Sequence, residues 1–164
     1  AAQQAGGALI AASEGDLDEQ AAALAALAES SDHEGARLLA ELRVAGVLAA
    51  EGDSAAAAEA YDRIAASASS DLLIQDFATY RAVMLRGAEM ESAAFAEALS
   101  SMANGSGPFR SRAMEARGIA LVRAGDQQAG EDELRAAHSD EAAPQALRQR
   151  IEVLMTALGG SLDN

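Results

Sequence analysis

The first group that could bind or react is Asp16-Leu17-Asp18-Glu19. A calcium loop starting at Asp16 needs a glycine at its sixth position and an acid at its twelfth; Ala21 and Leu27 stand there. Asp16 with Glu19 three residues on matches a capping box at a helix start instead. Glu131-Asp132-Glu133 offers three carboxylates, but adjacent helical residues point in different directions and cannot flank one bond, so a solvated face is predicted. His33 and His138 lie 105 residues apart with no cysteine in the chain, which is no zinc ligand set; His138 reads as a cation near a helix C-terminus. Gly6-Gly7 and Gly105-Ser106-Gly107 lack the strand and the lysine of a phosphate loop. No metal, cofactor or catalytic set is expected.

The arginines are better candidates, for binding and not for catalysis. Arg110, Arg112, Arg117 and Arg123 fall on one expected helix, and Arg148 and Arg150 on the last. Arg110 and Arg117, seven residues apart, share a helical face where forked guanidinium groups could hold carboxylates of a partner. The competing reading pairs them with the chain's own acids. Tyr80 and Arg81 complete the candidate partner-binding residues. Acids outnumber bases by 26 to 12, every base is Arg, and the net charge is −14; nonspecific nucleic-acid binding is therefore disfavoured. Residues 1–70 hold 12 acids against 3 Arg, a net of −9, and residues 71–164 hold 14 against 9, a net of −5. A surface for an acidic partner is expected in the second half.

A recurring turn organises the elements that carry these residues. Gly15, Gly52, Gly87, Gly125 and Gly159 lie 37, 35, 38 and 34 residues apart, a period that signals a helical repeat array. A glycine can end one helix in the left-handed conformation, and the Asp after it (Asp16, Asp53, Asp126) can cap the next. Seven residues before the glycine stands a small residue, Ala8, Ala45 or Gly118, which lets two helices approach closely. Nine after it stands a large one, Leu24, Tyr61 or Leu134. The third unit departs, with Tyr80 in the small place and Phe95 eight residues past Gly87, so a distorted hairpin is expected there.

Half the residues are apolar, most of them Ala, with no Trp, three Phe and two Tyr. Such a chain must pack closely spaced helices, and Ala is the best helix former. The periodicity predicts helices over about 17–28, 34–50, 54–66, 72–86, 91–102, 109–124, 127–137 and 145–158, with the end of another over 1–13. The helix 72–86 places Leu73, Phe77, Tyr80 and Met84 on one apolar face, and the last helix does the same with Leu147, Ile151, Leu154 and Leu158. Asn104 to Pro108 is the clearest break, yet the turn spacing runs through it, so residues 1–164 are read as one domain. The longest apolar run, Ala21 to Ala28, is far short of the roughly 20 residues that span a bilayer. The chain begins with Ala1, so a signal peptide or anchor preceding it is an open expectation.

With hairpin glycine, small residue and large residue in place, the chain resembles a tetratricopeptide array, best over 37–66 and 109–137. More narrowly, Ala60-Tyr61-Asp62-Arg63-Ile64-Ala65, Leu72 to Leu85, Gly107-Pro108-Phe109-Arg110-Ser111-Arg112-Ala113 and Pro144 to Arg150 resemble the periplasmic domain of the ancillary subunit of the bacterial Sec translocon. The resemblance implies an all-α, right-handed superhelix of antiparallel hairpins with a terminal capping helix. It implies a non-catalytic scaffold at the periplasmic face of the inner membrane, anchored by a helix missing from this chain, whose partners are translocon subunits or periplasmic chaperones. The alternative is a soluble cell-envelope scaffold for outer-membrane or peptidoglycan machinery. The lysine clamp of cytosolic chaperone-binding arrays cannot form without lysine.

Overall fold

A computed structural model describes residues 7, 8, 10, 12, 16–30, 33–67 and 71–162. Its helices are α1 (Leu17–Ser30), α2 (Glu34–Glu51), α3 (Ser54–Ser67), α4 (Leu72–Gly87), α5 (Ser92–Ala103), α6 (Arg110–Arg123), α7 (Gln127–Ser139) and α8 (Gln145–Leu158). No strand occurs among the described residues, and the chain is all-α. The Gly15 turn and most of the expected helix over 1–13 lie outside the described residues. The chain divides into two compact units, Ala1–Arg86 and Gly87–Asn164, at a point other than the Asn104 to Pro108 break.

One turn chemistry recurs. Gly52, Gly125 and Gly159 hold φ of 87°, 94° and 73°, the left-handed region that only glycine enters without strain. At each, the next residue donates its amide to the carbonyl five residues back: Asp53 to Leu48, Asp126 to Leu121 and Gly160 to Met155, each at 3.0 Å. The last carbonyls of α2, α6 and α8 are thereby satisfied. Asp53 then accepts from Ala56 N at 3.0 Å and Asp126 from Ala129 N at 3.2 Å, each cap contributing about 1 kcal/mol. Asp16 accepts from Glu19 N at 3.0 Å, and Asp71 caps α4 through Leu73 N and Ile74 N.

Gly87 is different. It is the last residue of α4 and has no positive φ. A Cβ there would strike the Phe95 ring, whose Cζ would lie at 2.8 Å. The glycine makes room for Phe95, which arrives one residue early in the repeat.

In the first unit α1 packs on α2 and α2 on α3. The core joins Ala45, Ala58, Ala60, Tyr61, Ile64, Ala78 and Ala82, with Leu38, Leu42, Ile74 and Phe77 packed against it. Tyr61 and Phe77 meet edge to face at 5.9 Å and 83°. The face of α4 differs from the expected one: Ala78 and Ala82 are fully buried, Tyr80 and Met84 are half-buried and Leu73 is 58% exposed. Both alanines belong to the core around Tyr61 and Ile64, and the larger side chains of Ile74 and Phe77 pack against it. Arg86 reaches across to pair with Asp62, and this hydrogen bond raises the Arg86 pKa above its ordinary value.

In the second unit α5 packs on α6, α6 on α7 and α7 on α8. A Cβ on Gly118 would stand 3.0 Å from Gly130 O, and one on Gly130 would stand 2.7 Å from Gly118 O, so α6 and α7 touch backbone to backbone. Ala45 and Ala57 hold the corresponding places around Gly52, both with no exposed surface. The large residues nine past the turns, Leu24, Tyr61 and Leu134, are all buried, each such side chain contributing about 2 kcal/mol. The last helix buries Leu147, Ile151 and Met155, with Leu154 and Leu158 half-buried. Among the described residues, 16 of the 25 buried apolar side chains are Ala, so close helix approach replaces bulk as the source of packing.

Candidate partner-binding surfaces

The structure engages most of the candidate arginines within their own units, leaving Arg123 exposed at the end of α6. Arg110, 39% exposed, pairs with Asp140 at 3.1 Å. Arg117, only 14% exposed, pairs with Glu133 at 2.7 Å and donates to Asn104 Oδ1 at 3.0 Å. Arg112 lies over the Phe109 ring at 5.2 Å, and Arg81 over the Tyr61 ring at 5.5 Å. Arg150 grips the buried Glu115 with two bonds of 2.9 and 2.6 Å, and Arg148 donates to the carbonyls of Asp140 and Glu141. Arg110 and Arg117 thus serve two different acids, and Tyr80 and Arg81 lie in the other unit.

The three consecutive acids of α7 also separate, and the expected solvated face holds for Asp132 alone. Glu131 is buried and accepts from Gln127 Nε2 at 2.7 Å and Arg135 Nη2 at 3.3 Å. Asp132 is exposed, and hydrogen bonds from Gln128 and Arg135 hold its carboxyl below the usual aspartate range. Glu133 is half-buried against Arg117. Arg135, one turn on, serves both Glu131 and Asp132, while the 100° step between helical neighbours turns Glu133 toward Arg117. His138 sits in the last turn of α7, 3.2 Å from Glu152 of α8.

Concavities among the described residues offer other surfaces. In the first unit, a cavity of about 320 Å³ is floored by Ala25, Val44 and Ile64 and rimmed by Glu29, Glu41 and Arg63. In the second, a groove of about 550 Å³ runs between α5 and α7 over α6. Ala93, Ala96 and Glu97 form one wall, Ala129, Asp132 and Glu133 the other, and Arg117 and Leu121 the floor. Ser100 also lines it, with its hydroxyl donating to Ala96 O at 3.3 Å. Of the candidate partner-binding residues, Arg117 alone enters this groove, as an ion pair with Glu133.

No protein family, curated protein or solved structure matches the chain. What the groove can do rests on its own chemistry. Its Arg117–Glu133 pair is mutually neutralised, its Ser100 hydroxyl is bound to its own helix and its Asp132 is engaged by Gln128 and Arg135, so what it still offers is small apolar walls, the carboxylate of Glu97 and the exposed side of Asp132. Glu97, Ala93 and Ala129 were not singled out by sequence reasoning. The visible signal is Ala followed four residues later by Glu on both walls, Ala93–Glu97 and Ala129–Glu133, which places each pair on one helical face.

Proposed function

We propose that this chain is a non-catalytic protein-interaction scaffold built of tetratricopeptide-type hairpins in a right-handed array. The supporting observation is the equivalence of two hairpins. Around Gly52 and Gly125 the same left-handed glycine, the same amide-to-carbonyl bond, the same Asp cap and the same buried positions recur. Such units bury one face against each neighbour and leave extended surfaces for partners. The test is photocrosslinking from exposed positions on α5 and α7, with a substrate screen alongside. Specific crosslinks to one protein support the scaffold; turnover abolished by a single point mutation overturns it.

The narrower proposal is the periplasmic part of a membrane-anchored accessory of the Sec translocon, with translocon subunits or periplasmic chaperones as partners. It rests on the sequence resemblance alone, and the anchor would belong to a segment outside this sequence. Among the described residues no helix is long and apolar enough to cross a membrane. Protease protection in intact cells and spheroplasts tests it. Membrane-associated material cleaved only after the outer membrane is opened supports it, and protection in spheroplasts removes it.

A further inference from the structure

The groove of the second unit points to the chemistry of what fills it. We propose that it receives a basic segment of a partner protein, a lysine or arginine flanked by small or apolar residues; this deepens the scaffold reading and rests on it. Three of the four charged residues lining the groove are acids. Glu97 is exposed and makes no hydrogen bond or ion pair among the described residues. Asp132 is 58% exposed even with Arg135 beside it. The one cation, Arg117, is held by Glu133 and Asn104 and lies 14% exposed, so it offers little to an incoming carboxylate.

Shape and charge select the same occupant. The apolar walls are alanines, which let a backbone approach closely, and half-buried Leu121 gives an apolar floor where a side chain next to the basic one can rest. At about 550 Å³ the groove is within the range of roughly 300–1,000 Å³ typical of ligand sites, but it is an open trough suited to a chain segment. A second copy of this protein brings a charge of −14 and no lysine, and nucleic acid or an anionic lipid surface brings more negative charge; each meets repulsion here. A basic segment meets attraction at both walls. The walls are α5 and α7, with α6 between them as the floor.

The probe is a fluorescein-labelled twelve-residue peptide of alternating lysine and alanine with one central leucine, with its glutamate counterpart as control. Binding is read by anisotropy and located by amide chemical shifts. Ala93→Leu fills the trough from an exposed position without changing charge, and Glu97→Lys reverses the free acid. Shifts confined to the groove are expected, with a dissociation constant raised about tenfold by Glu97→Lys, near twice the logarithmic effect of losing one exposed ion pair, and raised at least as much by Ala93→Leu. No binding of the lysine peptide, equal binding by wild type and variants, or shifts spread over other acidic faces would each overturn the proposal. Circular dichroism checks that both variants fold. A crosslinked partner retained by both variants leaves the scaffold standing and removes only this groove.

Discussion

Gly130→Ala should destabilise the second unit even though alanine is the better helix former. In an open helix interior the exchange stabilises by about 1 kcal/mol. At Gly130 the new methyl would stand 2.7 Å from Gly118 O and 2.9 Å from Val122 N, with Val122 Cγ2 also in the way. Val122 can turn aside, but the two backbone atoms move only if α6 and α7 part. Overpacking typically costs about 1–3 kcal/mol, and backbone obstruction puts this case at the top of that range, leaving a net loss of about 2 kcal/mol. With a urea slope of about 2 kcal/mol/M the midpoint should fall by about 1 M. Gly46→Ala is the control: nothing lies within 4 Å of its Cβ position in α2, so stability should rise by up to about 1 kcal/mol. Urea unfolding followed by circular dichroism, with peptide-resolved hydrogen exchange to assign each change to its unit, gives the answer. A Gly130→Ala midpoint equal to or above that of wild type would refute the backbone contact.

Gly52→Ala and Gly125→Ala meet no atom within 4 Å but hold φ of 87° and 94°, so each should lose about 1–2 kcal/mol through torsion alone; unequal losses in urea unfolding would argue against equivalent turns. Arg150→Ala leaves Glu115, 11% exposed, without its bidentate partner and should cost about 1–3 kcal/mol, more than Glu115→Gln, as read by thermal unfolding. The Asp132 carboxyl is held low mainly by Gln128 and then by Arg135. The stability it contributes is therefore present above the ordinary aspartate range and is lost as pH falls through its lowered pKa. Carboxyl NMR titration should show this pKa moving upward in Gln128→Ala, and no movement would discount that hydrogen bond.

Backbone chemistry was the legible part of this sequence. Gly52, Gly125 and Gly159, the caps at Asp53 and Asp126, and the buried places of Tyr61 and Leu134 are local consequences of residue type and spacing. Gly87 was not legible, because a glycine that makes room for Phe95 looks the same in sequence as one that turns a corner. The face of α4 was misjudged for a related reason. Counting large apolar residues favours Leu73, whereas the positions buried in the Tyr61 core are Ala78 and Ala82, small residues that such a count passes over. The arginine surface depended on partners far along the chain, Asp140 thirty residues from Arg110 and Glu115 thirty-five from Arg150. The groove needs three helices to exist, so only its Ala–Glu spacing leaves a trace.

The alanine interior also shapes how this protein can change over generations. A core of leucine and phenylalanine fails mostly by losing volume; here Ala45, Ala57, Ala78 and Ala82, already fully buried, have almost nothing left to lose. Drift toward Val, Leu or Ile at these places would add methylenes where the interior is already filled, each step opposed by overpacking. A saturation library should thus show an inverted profile, in which Ser and Gly are better tolerated at the core than Leu, while exposed Leu73 and Val153 accept nearly any residue. Lineages of such a chain would stay alanine-rich through steric purifying selection alone, whatever partner they bind.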